Sequence, residues 1–132
     1  MDLAQFLTAR FDEDAAVARA VRFERFEAFD YLWYAKYLEL QGEGSSKATG
    51  DLPPEVADHA ARHDPARVLA EVNAKREVVN AYERAVAEFQ DSGPAMVSYD
   101  RLTGSVSSLR TALEFLALPY VNHPDYQDTW RP

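Results

Sequence analysis

The chain has 132 residues, with 14 Lys+Arg against 22 Asp+Glu for a formal net charge of −8, 47% hydrophobic residues and no cysteine. A chain of this length builds one domain that buries roughly two-thirds of its unfolded surface, and its apolar fraction is too high for wholesale disorder. The lack of cysteine excludes disulfides, thiolate metal sites and a thiol nucleophile, and the acidic balance argues against a nucleic-acid partner, which needs a basic stripe on its protein.

Asp2 stands where a secretory signal would carry positive charge. No apolar run approaches the ~20 residues of a membrane span. The expectation is a cytoplasmic protein without a membrane partner. The first helix is signalled by Leu3, Phe6, Leu7, Phe11, Val17 and Val21 at intervals near 3.6, with Asp2 as N-cap and Gln5 three residues later. Asp12, Glu13 and Asp14 fall on its outward arc and read as a solvated acidic face.

Residues 22–41 support two readings. Phe26, Phe29, Trp33, Tyr37 and Leu40 step by three and four, as on a helix, while the wealth of Phe, Tyr and Trp suits a β-hairpin. Under either, Phe26, Phe29, Trp33 and Tyr37 form a buried cluster or a surface for a partner. Residues 41–54, rich in Gly and Ser and ending at Pro53-Pro54, read as a flexible loop, and 55–62 as a short helical stretch.

The strongest helical signal begins at Asp64-Pro65. Asp64 can accept from free amides at the helix start, and Pro65 occupies a first-turn position where its missing N–H costs nothing. Val68, Leu69, Val72, Val79, Tyr82, Val86 and Phe89 then form one stripe over about 65–90, ended by Asp91-Ser92-Gly93-Pro94. Glu71 stands four residues before Lys75, the favourable order for an ion pair. After Asp100, Leu102, Val106, Leu109, Leu113 and Leu116 make a narrow seam flanked by Gly104, Ser105, Ser107 and Ser108, which suits close helix packing within the chain or in a homodimer. Pro119 stops that helix. The tail 119–132 carries three aromatics, with Tyr126 and Trp130 four apart, so it is expected to dock at the base of the long helix and bury Trp130. The fold expected is mainly α: a single domain, 1–132, built as a small antiparallel bundle around a long central helix.

His59-Ala60-Ala61-Arg62-His63-Asp64-Pro65-Ala66-Arg67-Val68-Leu69 with Ala74-Lys75-Arg76, and Leu116-Ala117-Leu118-Pro119-Tyr120 with His123-Pro124-Asp125-Tyr126 and Trp130-Arg131-Pro132, resemble the two signatures of a family of short uncharacterised proteins from high-G+C bacteria and their phages. The opening Phe6-Leu7, Ala9-Arg10 and Asp12-Glu13-Asp14 is similar too. The resemblance implies a class and an origin but no mechanism. Members often carry a Gly-Pro-Trp type turn and a presumed hairpin after the first helix, where this chain has Arg22-Phe23-Glu24-Arg25-Phe26.

All three histidines lie in these signatures. His59 and His63 share a helical face, the spacing of paired metal ligands, and His123 could complete a Zn²⁺ or other divalent site if the tail docks nearby. Structural roles compete: His63 bonding at a helix junction and His123 anchoring the tail. Ala60 stands where a metalloprotease helix carries its glutamate, Gly42-Glu43-Gly44 lacks a phosphate-loop pattern, and Ser45 and Ser46 have no nucleophile elbow. Arg62, Arg67 and Arg131 are expected to pair with neighbouring acids rather than bind an anion. No cofactor is expected beyond the metal alternative. The functional expectation is a non-enzymatic accessory protein acting on an unidentified protein partner as monomer or homodimer. The alternatives are a metal-binding protein or metal-assisted hydrolase, and an acidic mimic of nucleic acid.

Overall fold

A computed structural model of the chain describes residues 1–24, 59, 62–93 and 98–132. These residues are mainly helical and hold no strand. In order they form α1 (Leu3–Glu24), α2 (Pro65–Asp91), α3 (Tyr99–Ala117) and two 3-10 turns, Leu118–Tyr120 and Asp128–Trp130. Residues 22–24, placed in the hairpin alternative, continue α1. The rest of that alternative, the aromatic set Phe26, Phe29, Trp33 and Tyr37, and the loop 41–54 lie outside the described residues. None of the described helices is long and apolar enough to cross a membrane.

The chain gathers into two compact units, residues 1–13 with 72–132, and residues 14–71. In the first unit α1 opens on a reciprocal cap. The Gln5 amide donates to Asp2 Oδ1 at 2.9 Å and the Asp2 amide donates to Gln5 Oε1 at 3.0 Å, satisfying two amides that have no helical acceptor. Leu3, Phe6, Leu7 and Phe11 are buried, the last three completely. Leu3 and Ala4 border one cleft with Val86 and Gln90, Thr8 borders another with Arg76 and Val79, and Asp12 pairs with Arg76 at 2.5 Å. Rising numbers in α1 meet falling numbers in α2, so the two run antiparallel.

Helix α2 has 27 residues, about 40 Å at 1.5 Å per residue. Val72, Val79 and Ala85 are its buried positions. It ends where the Ser92 hydroxyl donates to the Phe89 carbonyl at 2.8 Å and occupies an orphan acceptor. Phe89 meets Tyr99 with ring centroids 5.1 Å apart, which brings α3 back alongside α2. On α3, Leu102, Leu113 and Ala117 are buried, so the seam faces this unit's interior, whereas Gly104 is exposed with open space above it among the described residues. The helix tightens at its end: Leu118 N–H donates to the Phe115 carbonyl, and Pro119 has no N–H with which to continue.

In the second unit, residues 14–24 complete α1. Ala15 and Ala18 are buried, continuing the Phe11 line at i+4 and i+7. Val17, expected on the stripe, is 67% exposed because that line passes it by. A single helical turn closes from the His63 amide to the His59 carbonyl at 3.2 Å. Asp64 Oδ1 then accepts the Arg67 amide at 2.6 Å and starts α2. Glu71 accepts from Arg67 Nε at 2.7 Å, a pairing one turn earlier than its expected partner Lys75.

Candidate functional site

The tail 119–132 and the first turns of α1 form the densest cluster of chemistry in the first unit. After Pro119 the backbone makes successive tight turns, with the His123 amide on the Tyr120 carbonyl, the Tyr126 amide on the His123 carbonyl and the Trp130 amide on the Gln127 carbonyl, each at 2.9 Å. Pro124 supports the middle turn because its ring fixes φ where a turn needs it. The turns aim Tyr120, His123, Tyr126 and Trp130 at one residue. Their ring centroids lie 6.3, 5.7, 6.0 and 4.9 Å from that of Phe6, and Tyr120 also reaches Phe11 at 6.4 Å. Most of these pairs meet edge to face, the arrangement ring quadrupoles favour. Trp130 is buried, and the rings that cover it come from α1 and the tail itself. The dock described here uses Phe6 of α1.

Arg10 ties the cluster together. Its side chain is 7% exposed and lies over the Phe6 ring at 5.1 Å. Glu13 takes two of its donors, Nε at 2.9 Å and a terminal nitrogen at 2.6 Å, a forked pairing that fixes the guanidinium plane. The other terminal nitrogen donates to His123 Nδ1 at 3.0 Å, and the Asp125 amide donates to the same Nδ1 at 3.1 Å. A guanidinium and a backbone amide only donate, so Nδ1 accepts both bonds through its lone pair and the ring hydrogen sits on Nε2. Asp125 Oδ2 lies 3.8 Å from Arg10 and 3.9 Å from Nδ1. His123 therefore anchors the tail, through a side chain of α1.

That arrangement does not suit His123 as a metal ligand. Nδ1 is occupied by a cation, and a histidine ligating through Nε2 is ordinarily supported by Nδ1–H donating outward. In the second unit His59 and His63 are both exposed, with ring centroids 4.6 Å apart, as their spacing on one turn requires. Among the described residues no three His, Asp or Glu side chains are grouped to hold a metal ion. Of the arginines expected to pair with neighbouring acids, Arg67 does so with Glu71 and Arg131 with Asp128, and Arg67 also donates to the Arg62 carbonyl.

A third feature is the outer face of α3. Gly104, Ser107, Ser108 and Thr111 are exposed along it, and it ends in Phe115 and Leu118, 57% and 40% exposed. The Thr111 hydroxyl donates to the Ser107 carbonyl at 3.2 Å, so its polarity is satisfied within the helix.

Sequence reasoning placed Arg10 in a motif but gave it no role. The signal available was its spacing to Glu13 and the recurrence of rings at 120, 123, 126 and 130, which needs an apolar post to surround. With this geometry in place, a sequence comparison settles the affiliation: the profile of a family of unknown function, DUF6221, matches residues 1–132. The chain belongs to DUF6221. No curated protein and no solved structure matches it. The ring cluster and the outer face of α3 are thus features of a DUF6221 chain for which the family itself supplies no reaction.

Proposed function

We propose that this DUF6221 protein is a small non-enzymatic binding protein that docks onto another protein through the outer face of α3. One observation carries the reading: Phe115 and Leu118 stand 57% and 40% exposed, three residues apart on the same face. A phenylalanine offers on the order of 200 Å² of surface, so covering the exposed part of Phe115 removes a little over 100 Å² and contributes about 3 kcal/mol. That is the size of an interface anchor. The neighbouring Gly104, Ser107, Ser108 and Thr111 carry no charge, which in a chain of net charge −8 leaves a face a partner can approach without desolvating ions.

Charge patterning favours this reading over mimicry of nucleic acid. Arg67, Glu71, Lys75, Arg76, Glu77, Glu83, Arg84 and Glu88 intersperse both signs along α2, where a mimic would present a strip of carboxylates. The cleft of about 270 Å³ between the start of α1, α2 and Arg110 gives catalysis little support, since Asp2 is committed to the cap and Arg110 to Glu114 at 3.1 Å. The aromatic set Phe26, Phe29, Trp33 and Tyr37 is proposed, on its sequence alone, as a second contact surface.

The test is Phe115→Glu with Leu118→Glu in the full chain. Both positions are exposed, so melting temperature and helical circular dichroism should stay unchanged. A protein captured from producing cells by the wild type and lost by the double variant supports the proposal. Equal capture by both places the contact elsewhere and overturns it.

A further inference from the structure

His59 and His63 stand one helical turn apart at the approach to α2, in the second unit and away from the α3 face. The His63 amide donates to the His59 carbonyl at 3.2 Å, so the turn between them is closed and both imidazoles leave it on one side. Their ring centroids lie 4.6 Å apart, with the planes inclined by 39°. Both are exposed, and neither ring is hydrogen-bonded among the described residues, so each neutral ring keeps a nitrogen lone pair for a ligand. His123, by contrast, has Nδ1 engaged by Arg10 and the Asp125 amide. We propose that His59 and His63 form a two-point chelate for one divalent cation of the zinc class, which clips the turn leading into α2.

The spacing fits a chelate. A zinc–imidazole bond of about 2.0–2.1 Å places the ion about 3.2 Å from each ring centre, so rings 4.6 Å apart subtend about 90° at it. Opening the pair by about half an ångström, a small rotation for exposed side chains, gives the tetrahedral angle of a zinc site. Imidazole suits zinc, copper or nickel, whereas magnesium and calcium take oxygen ligands. A chain of net charge −8 attracts cations, and Arg67 is paired with Glu71 at 2.7 Å. Arg62, on the same turn, is exposed, so water and salt screen its repulsion. No third His, Asp or Glu joins the pair among the described residues, which is fewer ligands than structural or catalytic zinc sites use. Water fills the remaining positions, the ion exchanges with solvent, and its effect is local. A lone helical turn is costly to start because several dihedrals are fixed for one hydrogen bond, and a cation joining i to i+4 holds those same dihedrals.

The probe is zinc chloride added to the full chain near pH 7.5, where imidazoles are largely neutral, and read by NMR on the imidazole ring protons. The expected result is that the His59 and His63 signals shift together and saturate at a single zinc per chain, with His123 unmoved over the same range. His59→Ala and His63→Ala, both at exposed positions, should each weaken binding at the remaining histidine roughly tenfold or more, the gain that joining two contacts in one site supplies. A smaller loss, any other stoichiometry, or His123 shifting in step with the pair overturns the proposal, because each describes independent surface imidazoles that merely stack. So does the absence of any shift at millimolar zinc. The contrast between the pair and His123 in the wild type decides the matter even if a variant does not fold.

Discussion

Replacing Phe6 tests whether the tail is organised around one ring. Phe6 and Phe11 are both completely buried, so surface bookkeeping predicts equal costs for Phe6→Ala and Phe11→Ala, about 3–5 kcal/mol each. The ring contacts break that tie. Phe6 meets Tyr120, His123, Tyr126 and Trp130 and lies beneath Arg10, whereas the ring described against Phe11 is Tyr120. Aromatic pairs add about 0.5–1.5 kcal/mol each beyond burial, and a desolvated cation over a ring adds as much as about 2 kcal/mol. These contributions share one residue and do not sum fully. Phe6→Ala should therefore exceed Phe11→Ala by roughly 1–3 kcal/mol. Phe6→Leu, which keeps most of the apolar volume and loses only the ring, should cost about 1–2 kcal/mol and keep the chain folded for measurement. The assay is urea unfolding in a Trp33→Phe background, which leaves Trp130 as the sole tryptophan. Under native conditions Trp130 emission should shift toward that of a solvated indole in the Phe6 variants and stay put in Phe11→Ala. If Phe11→Ala costs as much as Phe6→Ala, or Trp130 stays shielded without the Phe6 ring, the single-post account is wrong.

Two further outcomes follow from individual atoms. Asp64→Ala deletes the acceptor of the Arg67 amide and should lower stability by about 1 kcal/mol in denaturant titration, with Asp64→Asn recovering most of it because the amide oxygen can still cap. The Tyr126 hydroxyl is buried with no hydrogen-bond partner among the described residues, so Tyr126→Phe should leave stability unchanged or raise it by as much as about 1 kcal/mol. A clear destabilisation by Tyr126→Phe would mean that hydroxyl has a partner.

What the sequence determined alone is the part of the molecule whose physics is local. Asp2 with Gln5, and Asp64 with Pro65, mark helix starts because the atoms that satisfy the first amides lie within three residues of them. The 65–90 stripe and the 102–116 seam follow from a period of 3.6, and they locate α2 and α3 to within three residues at each end. Pro119 ends α3 because it lacks a donor. Only the tertiary structure decided which surfaces these elements would share. Arg10 and His123 are 113 positions apart, and no pattern of neighbours says that a guanidinium will be buried against an imidazole from the other end of the chain. Nor did periodicity decide between Val17 and Ala18, since which arc of α1 is covered depends on what lies against it. The role of His123 changed for the same reason: a histidine is a ligand, an anchor or a bystander according to what its two nitrogens meet, and those partners are supplied by the fold.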